Sequence, residues 1–360
     1  MDFKRMNDEI LPLSQSAMQG AQARWDALAK PLGSLGRLED TIVTIAGLIG
    51  STDVRLNKRG VLVFCADNGV VEEGVTQAGQ EITALIAGSI AGGVSSVNQM
   101  ARIANADVVA IDMGMASRVD APRLLDRRIA SGTRNITREP AMTRAETERA
   151  IETGVELVKA QKEKGYSILL TGEMGIGNTT TASAVASVLL NKDPAEVTGV
   201  GAGLSFEGLQ RKIGAIKRAI ALHRPDACDS LGVLASLGGF DIAGMAGAFL
   251  GGALYRVPVM IDGLISAVAA LVACRLCPTV TCALIPSHCS AEPAAHMVLE
   301  AIGVSPFLKA GMRLGEGTGA VALLPLLDMA LAVYHGLPTF GETGMQDYTP
   351  QEGYRCSHSS

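Results

Sequence analysis

Residues 167–181 read SILLTGEMGIGNTTT, and this stretch predicts the fold more directly than any other part of the chain. The apolar run at residues 167–170 has the length and composition of a buried strand. Gly172, Gly175 and Gly177 then mark a turn, and a segment rich in small residues opens a helix behind them. A strand that leads through a tight turn into a helix is typical of βαβ units, which build parallel sheets.

Four further apolar runs have the same character and alternate with longer helical patterns. They span residues 61–65, 108–111, 257–261 and 280–285. Because these runs are apolar on both faces, we expect central strands that are buried beneath helices on each side. The chain is therefore predicted to be an α/β protein with a parallel, Rossmann-like sheet flanked by helices.

The distribution of helical segments predicts two domains. The first fifty residues look helical, and so does the segment after Thr318. We expect residues 1–55 and about 318–360 to pack together as a small helical domain. Residues 56 to about 317 are predicted to form the large α/β catalytic domain.

Local signals place two helices and a tail. A capping box at residues 143–146 opens a helix that runs to about Lys164. Residues 204–222 place basic side chains on one face and apolar side chains on the other, which is typical of a helix on the surface of a core. The polar end of the chain, from about Gly341 to Ser360 with Cys356 and His358, is predicted to be mobile.

Composition and charge exclude several classes of protein. The chain is 48% hydrophobic, and its net charge of -5 leaves no basic footprint for nucleic acid. The N-terminus lacks the apolar segment of a signal peptide, and the most membrane-like run, residues 242–255, spans about 14 residues where about 18 are needed. Seven cysteines without a secretory signal indicate a reducing compartment, so we expect a cytoplasmic protein. The four cysteines between residues 274 and 289 match no metal-ligand spacing, and no metal site is expected.

Polar residues follow each of the predicted strands. They are Asp67, Asp112, Glu173, Asp262 and His288. In open parallel sheets, ligands bind in the crevice outside the carboxyl ends of the strands. An Asp-Gly pair is also an ordinary turn, but five polar strand ends in register favour a shared active-site crevice.

The glycine-rich loop at residues 172–181 is the strongest candidate for ligand binding. Glycines let backbone amides approach an anion, and a helix N-terminus adds unpaired N–H groups. The loop lacks the Gly-Lys-Ser/Thr of a P-loop, and its glycine spacing is not that of a dinucleotide fingerprint. A phosphate monoester site is the favoured interpretation, and a tight turn with a threonine cap is the alternative. A second glycine-rich step at residues 199–203 precedes a helix in which Arg211 or Lys212 is a candidate cation for the same phosphate.

Glu316 lies between two glycines in the sequence RLGEGTGA at residues 313–320. These neighbours leave its carboxylate accessible and its backbone tightly turned, which suits an active site. A structural role is the alternative, because a glutamate at the start of the following helix is stabilised by the helix dipole. The residues alone favour neither interpretation.

Several segments together resemble the family of nicotinate-nucleotide–dimethylbenzimidazole phosphoribosyltransferases. They are KPLGSLGRLE at residues 30–39, ADNGV at 66–70 with EGV at 73–75, the loop at 172–180, IPSHCSAE at 285–292 and RLGEG at 313–317. The resemblance covers nearly the whole chain. It implies a small helical domain built from both termini, and a dimer whose active sites lie at the strand C-termini beneath the partner's small domain.

The same resemblance implies roles for individual residues. Glu316 matches the family's general base, and Glu173 matches a second carboxylate in the site. The phosphate and ribose side of the pocket is expected to contain Gly175, Ile176, Gly177, Asn178, Thr179, Thr180, Gly201, Lys212, Asp262 and Ser290. The acceptor-base pocket is expected to contain Ala78, Gln80, Thr83, Ile86, Met174 and Leu314.

The implied reaction moves the 5-phosphoribosyl group of nicotinate mononucleotide to the lower-ligand base of a cobamide, such as 5,6-dimethylbenzimidazole. Nicotinate is a good leaving group because its ring nitrogen is cationic while attached. The incoming base attacks C1′ from the opposite face, which gives an α-ribotide. One carboxylate accepts the proton of the base, and the second stabilises the charge that develops at C1′. No metal or external cofactor is expected.

Four residues at three places in the chain depart from the family pattern. Asn68 stands where the family commonly has histidine, Ala78-Gly79 where it commonly has Ser-Pro, and Ile86 is an apolar residue beside the acceptor pocket. An apolar pocket offers fewer hydrogen bonds to a benzimidazole nitrogen. We therefore hypothesise that the protein accepts, or prefers, a phenol or p-cresol.

Two other functions are possible. Some phenol-using relatives work as pairs of homologous chains, so the alternative to a homodimer is a heterodimer in which this chain has little activity of its own. Retention of both Glu173 and Glu316 disfavours an inactive subunit. A phosphate-binding kinase is disfavoured because the P-loop lysine is missing.

Overall fold

A six-stranded parallel sheet forms the centre of the protein. The computed structural model describes residues 1–346 and residue 348. The strands are β1 (Arg59–Ala66), β2 (Ala106–Gly114), β3 (Leu125–Asp126), β4 (Ile168–Met174), β5 (Val259–Ile261) and β6 (Leu284–Pro286). Their order is β3-β2-β1-β4-β5-β6, and every neighbouring pair is parallel. The predicted α/β fold is confirmed. Within the predicted tail, residues 341–343 belong to a short helix that begins at Phe340, and Cys356 and His358 lie outside the described residues.

Strand β1 is central because both of its faces are covered. All of its residues are buried. Val61 and Val63 point into one apolar layer, and Leu62 and Phe64 point into the other, as the two-residue period of a strand requires. Strands β2 and β4 pair with β1 along most of its length, which brings their carboxyl ends to one edge of the sheet.

The last predicted strand is wrong over more than half of its length. Residues Pro278–Ala283 form a 3-10 helix, and β6 begins only at Leu284. Pro278 favours the first turn of a helix because its ring fixes φ near −65°. The apolar pattern did not distinguish the two structures, because Val280 is as buried in this helical turn as it would be in a strand.

In the described part of the chain, helices cover both faces of the sheet. They are α1 (Phe3–Glu9), α2 (Gln15–Ala27), α3 (Arg37–Ile49), α4 (Glu81–Gly92), α5 (Ser96–Ile103), α6 (Arg144–Glu163), α7 (Asn178–Leu189), α8 (Pro194–Val197), α9 (Phe206–His223), α10 (Ser230–Leu237), α11 (Phe240–Tyr255), α12 (Leu264–Leu276), α13 (Ala294–Ile302), α14 (Thr318–Gly336) and α15 (Phe340–Thr343). The capping box correctly predicted α6, since Thr143 and Glu146 exchange hydrogen bonds at its start.

Helices α6 and α11 pack backbone against backbone on one face of the sheet. A Cβ atom at Gly247 would lie 1.9 Å from the carbonyl oxygen of Ile151, and one at Gly154 would lie 2.0 Å from the carbonyl oxygen of Gly244. The two helices approach this closely only because glycine has no side chain. This contact fixes the position of α11, whose first turn lies at the carboxyl edge of the sheet.

Helices from both ends of the chain pack on the other face. Trp25 of α2 and Tyr334 of α14 have ring centroids 4.9 Å apart, and Arg24 Nε donates a hydrogen bond to the Tyr334 carbonyl oxygen at 3.1 Å. Their apolar side chains share a core with β1. The domain boundaries at about residues 55 and 318 stay a prediction.

Helix α14 is the one helix of the described residues that is long and apolar enough, by length and composition, to cross a membrane. Its side chains Leu323, Leu324 and Leu327 are buried in the core that the terminal helices share with the sheet. A helix that is apolar all round is typical of a protein core as well as of a membrane span.

Candidate active site

The carboxyl edge of the sheet opens into a cavity of about 460 Å³. Three of the five polar strand ends line it: Glu173 of β4, Asp262 after β5 and His288 after β6. The other two do not. Asp67 is fully buried, and Asp112 is held in a salt bridge with an arginine. The crevice that the sequence predicted is thus built from the β4, β5 and β6 half of the sheet.

Most residues that were predicted to bind the phosphate and ribose lie in the wall of this cavity. They are Gly175, Ile176, Gly177, Asn178, Thr179, Gly201, Asp262 and Ser290. Thr180 and Lys212 are buried and lie outside the wall. The side of the cavity formed by the β4–α7 loop therefore has the polar character that a sugar phosphate needs.

The β4–α7 loop takes its shape from glycine. Gly177 has a φ of +95°, and a Cβ atom there would lie 3.2 Å from Asn68 Cβ. A Cβ atom at Gly175 would lie 2.4 Å from a carbonyl oxygen of β1. Thr83 Oγ1 accepts a hydrogen bond from the backbone N–H of Ile176 at 3.1 Å. The loop is thus pressed against the end of β1, and the N-terminus of α7 reaches the cavity, where it suits an anion.

Lys212 supplies a cation behind the loop. Its side chain is fully buried, and Nζ donates hydrogen bonds to Thr179 Oγ1 at 2.8 Å and to the Gly199 carbonyl oxygen at 3.1 Å. Burial lowers the pKa of Lys212 to about 8, although the nearby Glu292 carboxylate opposes this effect. The pKa stays above neutrality, so most Lys212 side chains carry their charge at pH 7 beneath Thr179.

Glu173 is a titratable group of the cavity wall whose pKa is raised by its surroundings. Its Oε2 accepts a hydrogen bond from Asn178 Nδ2. Burial raises the pKa of Glu173 to about 8, and the charges of Asp241, Asp262 and Glu316 add to the rise, while the Asn178 hydrogen bond opposes it. Glu173 therefore holds a proton at neutral pH. A cationic group bound beside it would favour the ionised form.

Glu316 lies in a strained turn against β4. It has a φ of +59° between Gly315 at +85° and Gly317 at +89°. For a residue with a side chain, this left-handed conformation costs about 1–2 kcal/mol. The turn is held because Glu316 N donates to the Glu173 carbonyl oxygen at 3.2 Å, and a Cβ atom at Gly172 would lie 2.5 Å from the Glu316 carbonyl oxygen.

The Glu316 carboxylate points towards a helix start. Its Oε2 accepts a hydrogen bond from the backbone N–H of Val97, in the first turn of α5, at 3.1 Å. Glu316 itself is not part of the cavity wall, although its neighbour Gly315 is. The carboxylate thus contacts the start of α5 and not the helix that follows it in the chain, while its backbone adjoins the cavity.

The predicted acceptor-base pocket is only partly assembled by the structure. Ala78, Met174 and Leu314 line the cavity. Thr83 is fully buried and donates to Asp67 Oδ1 at 2.6 Å. The other two predicted residues, Gln80 and Ile86, also lie outside the wall. The part of the pocket in the wall is therefore apolar.

Comparison with known proteins agrees with this geometry. A family model described as "Phosphoribosyltransferase" matches residues 10–345. The chain belongs to this phosphoribosyltransferase family. It is similar to the nicotinate-nucleotide–dimethylbenzimidazole phosphoribosyltransferase of Ruminiclostridium cellulolyticum, with 47% identity across 98% of this chain and 100% of the relative.

Two further comparisons extend over nearly the same length. The protein of the same name from Acetivibrio thermocellus is 46% identical and covers 94% of this chain and 97% of the relative. The crystal structure of CobT from Thermus thermophilus has a TM-score of 0.87 and 38% identity, and the match covers 92% of this chain and 99% of that chain. The family resemblance in the sequence is confirmed, and the chain is a phosphoribosyltransferase over its matched length.

His288, one of the predicted polar strand ends, lies in the cavity of this phosphoribosyltransferase. The buried His288 ring lines the cavity, and its Nδ1 lies 3.9 Å from Asp262 Oδ1. Asp262 Oδ1 also accepts a hydrogen bond from Ala320 N in the first turn of α14 at 2.9 Å. Burial raises the pKa of Asp262, and His288 opposes this rise. The position of His288 directly after a strand was the signal that predicted it at the crevice.

Asp241 was missed altogether as a residue of the phosphoribosyltransferase site. It is fully buried in the first turn of α11, and its Oδ2 accepts a hydrogen bond from Asn178 Nδ2 at 3.1 Å. Burial raises the pKa of Asp241 to about 6, and the backbone N–H of Ile242 opposes the rise. The available signal was a charged residue in an otherwise apolar helix, since burial of a charge is costly without a partner.

Proposed function

We propose that the protein transfers the 5-phosphoribosyl group from nicotinate mononucleotide to 5,6-dimethylbenzimidazole, and that it releases nicotinate and an α-ribotide for cobamide assembly. The observation that carries the proposal is the pair of glutamates, Glu173 and Glu316, whose backbones are joined by a hydrogen bond at the mouth of the β4–α7 loop. The names of the two relatives, which match 98% and 94% of the chain, support the choice of substrates.

The sugar phosphate is assigned to the loop side of the cavity. The phosphate lies at the N-terminus of α7, near Gly177 and Thr179, where backbone N–H groups and the dipole favour an anion. Lys212 adds a positive charge through Thr179. Ser290 and Asp262, from the loops after β6 and β5, offer a hydroxyl and a carboxylate to the ribose.

The bond changes require two carboxylates. The bond between C1′ and the nicotinate ring nitrogen breaks, and its electron pair neutralises the cationic ring. A lone pair of the acceptor nitrogen forms the new bond to C1′, and the proton on the other ring nitrogen of the base goes to the Glu316 carboxylate. Glu173 loses its proton when the cationic nucleotide binds and then stabilises the positive charge that develops at C1′.

The acceptor pocket supports a second candidate base. Ala78, Met174 and Leu314 are apolar, so a phenol or p-cresol fits the wall as well as a benzimidazole does. A competition assay with equal concentrations of p-cresol and dimethylbenzimidazole decides between them. Equal or faster use of dimethylbenzimidazole excludes a preference for the phenol.

We assign the active form to a homodimer in the cytoplasm. Three exposed apolar side chains follow the acceptor loop: Leu85 of α4, Val94 between α4 and α5, and Ile103 of α5. Exposed apolar groups often mark an interface. Light scattering of the purified chain is expected to give twice the monomer mass. A monomer without activity that gains activity only with a homologous chain would support the heterodimer instead.

The test of the reaction is a chromatographic assay of purified protein with nicotinate mononucleotide and a panel of bases. Wild type is expected to release nicotinate only in the presence of an acceptor, and Glu316→Gln is expected to lose at least about 100-fold in kcat, as for removal of a general base. Glu152→Gln, an exposed change in α6, is the matched control and retains full activity. Release without an acceptor, or full activity of Glu316→Gln, would contradict the proposal.

A further inference from the structure

Asp241 is a carboxylate that lies behind the cavity wall. It is fully buried at the second position of α11 and is absent from the residues that line the cavity. Its Oδ1 accepts a hydrogen bond from the backbone N–H of Ile242 at 2.9 Å. Its Oδ2 accepts from Asn178 Nδ2 at 3.1 Å. Both oxygens therefore have fixed partners, and a substrate does not reach them.

Asn178 joins this buried carboxylate to one in the cavity. The same Nδ2 atom that donates to Asp241 also donates to Glu173 Oε2. A side-chain amide nitrogen carries two hydrogens, so each carboxylate takes one of them. The position of Asn178 is set at the first residue of α7, behind the left-handed Gly177. The three side chains form a hydrogen-bonded row from the core to the cavity, in the order Asp241, Asn178, Glu173.

The surroundings leave Asp241 little freedom to move. A Cβ atom at Gly239 would lie 2.5 Å from Asp241 Oδ1 and 2.7 Å from Asn68 Oδ1. Asn68 Oδ1 is itself held by a hydrogen bond from Thr181 Oγ1 at 3.2 Å. The packing of the loop before α11 thus fixes the Asp241 carboxylate. Because Asn178 is hydrogen-bonded to this carboxylate, the position of the Asn178 amide beside Glu173 is fixed as well.

We propose that Asp241 is a positioning residue that fixes the Glu173 carboxyl at the cavity wall through the bridging amide of Asn178. For catalysis, this inference rests on the function proposed above. The geometry implies a division of charge between the two acids. Asp241 accepts a hydrogen bond from a backbone N–H in the first turn of α11, where a negative charge is stabilised. Among the described residues, the Glu173 carboxyl accepts a hydrogen bond from Asn178 alone.

The charges around the pair are nearly all negative. Facing Glu173 are Asp241 on α11, Asp262 after β5 and Glu316 before α14; facing Asp241 is Asp67 after β1, and His288 faces Asp262. Burial is the main cause that raises the pKa of Glu173 to about 8 and that of Asp241 to about 6, and the mutual repulsion of these acids adds to it. At neutral pH the pair therefore holds one proton, and it resides on Glu173.

The first test measures this proton directly and needs no turnover. Protein labelled with carbon-13 at the glutamate carboxyl is titrated by NMR, and the Glu173 signal is assigned by its loss in Glu173→Gln. In wild type we expect a midpoint near 8. In Asp241→Asn we expect the midpoint to fall by about one pH unit or more, because a nearby negative charge is removed.

The matched control is Asp67→Asn. Asp67 is equally buried at the same sheet edge and also accepts from a backbone N–H, that of Ala116 at 2.7 Å. Both substitutions remove one charge and place an amide where a carboxylate accepted two hydrogen bonds. Asp67 is not joined to Asn178, so Asp67→Asn is expected to shift the Glu173 midpoint by less than half as much. Equal shifts in the two variants would overturn the proposal.

A second variant, Asn178→Leu, distinguishes a loss of the hydrogen-bonded bridge from a general loosening of the fold. Asn178→Leu keeps the size of the side chain and removes the donor that lowers the pKa of Glu173. The Glu173 midpoint is therefore expected to rise in Asn178→Leu and to fall in Asp241→Asn. A loosened, wetter site would move both midpoints towards the ordinary value for glutamate. Movement in the same direction would overturn the proposal.

A second measurement connects the bridge to catalysis. If ionised Glu173 stabilises the developing charge, kcat/KM rises with pH through the pKa of Glu173 in the free enzyme. Asp241→Asn is expected to move this rising limb to lower pH, whereas a purely structural defect would lower activity at every pH without moving it. Absence of turnover in wild type with every base would refute the proposed function and leave the NMR result to decide the bridge. Normal turnover with unchanged midpoints would refute the bridge alone.

Discussion

Replacement of Glu173 by glutamine is expected to stabilise the protein, and increasingly so as the pH rises. The pKa of Glu173 is raised from an ordinary 4.5 to about 8 in the folded protein. A carboxyl group whose pKa is raised by folding contributes its full stability at a pH below its pKa in the unfolded state. This contribution is lost as the pH rises through its pKa in the folded state. The wild type therefore loses stability between about pH 4.5 and 8, and the glutamine variant does not.

The size of the effect follows from the same shift. At 1.36 kcal/mol for each pH unit, the whole window amounts to about 5 kcal/mol as an upper limit. Glu173 borders the cavity and is partly exposed, and Asp241 takes up part of the charge change, so we expect a net change of about 2 kcal/mol. For a chain of this length, about 2 kcal/mol corresponds to about 3 °C in Tm. The amount by which the Tm of Glu173→Gln exceeds that of wild type is therefore expected to be about 3 °C larger at pH 8.5 than at pH 5.

The assay is thermal unfolding of both proteins at matched ionic strength at these two pH values. The introduced glutamine side chain retains an oxygen that accepts the hydrogen bond from Asn178, so packing is little changed. Glu152→Gln, an exposed substitution in α6, is the control and is expected to give the same Tm difference at both pH values. A Tm difference for Glu173→Gln that is constant between pH 5 and 8.5 would refute the reasoning, because the group would then titrate alike in the folded and unfolded states.

Two further predictions concern the cation beneath the loop and the turn against β4. Lys212→Met is expected to weaken binding of nicotinate mononucleotide by about 30- to 150-fold in calorimetry, because the positive charge beneath Thr179, worth about 2–3 kcal/mol, is lost. The exposed Lys217→Met on the same helix is the control, and equal affinities of the two variants would contradict the role of Lys212. Gly172→Ala places a methyl group 2.5 Å from the Glu316 carbonyl oxygen and is expected to destabilise the protein by about 3 kcal/mol in urea unfolding. Gly336→Ala, where the added methyl group meets open space, is expected to leave the urea midpoint nearly unchanged, and equal midpoints for the two alanine variants would contradict this packing.

The sheet was predictable from the sequence wherever burial and strand length coincide. The apolar runs at residues 61–65, 108–111 and 167–170 all became strands, since each packs against apolar side chains on both faces. The run at residues 280–285 misled because an apolar pattern records burial and not backbone conformation. Pro278 begins a helical turn there. A run of six residues is too short to distinguish the period of a helix from that of a strand.

The cavity wall was predictable where its residues are close together in the sequence or follow a strand. Glu173, Gly175 and Gly177 lie within five residues, and their glycine spacing announces a loop at a strand end. The bond between Asn178 and Asp241 spans 63 positions, and it depends on how α11 packs beneath the sheet. The sequence marks Asp241 only as a charged residue in an apolar helix, and it does not record the packing that brings this residue to Asn178.

The most direct test of the central claim is the configuration of the product at C1′. Purified protein is incubated with nicotinate mononucleotide and 5,6-dimethylbenzimidazole, and the new ribotide is isolated and examined by proton NMR. The proposed mechanism predicts an α-ribotide, formed together with one equivalent of nicotinate and lost in Glu316→Gln. A β-ribotide, or nicotinate with ribose 5-phosphate and no ribotide, would contradict it, because the acceptor base would then not attack C1′ opposite the leaving group.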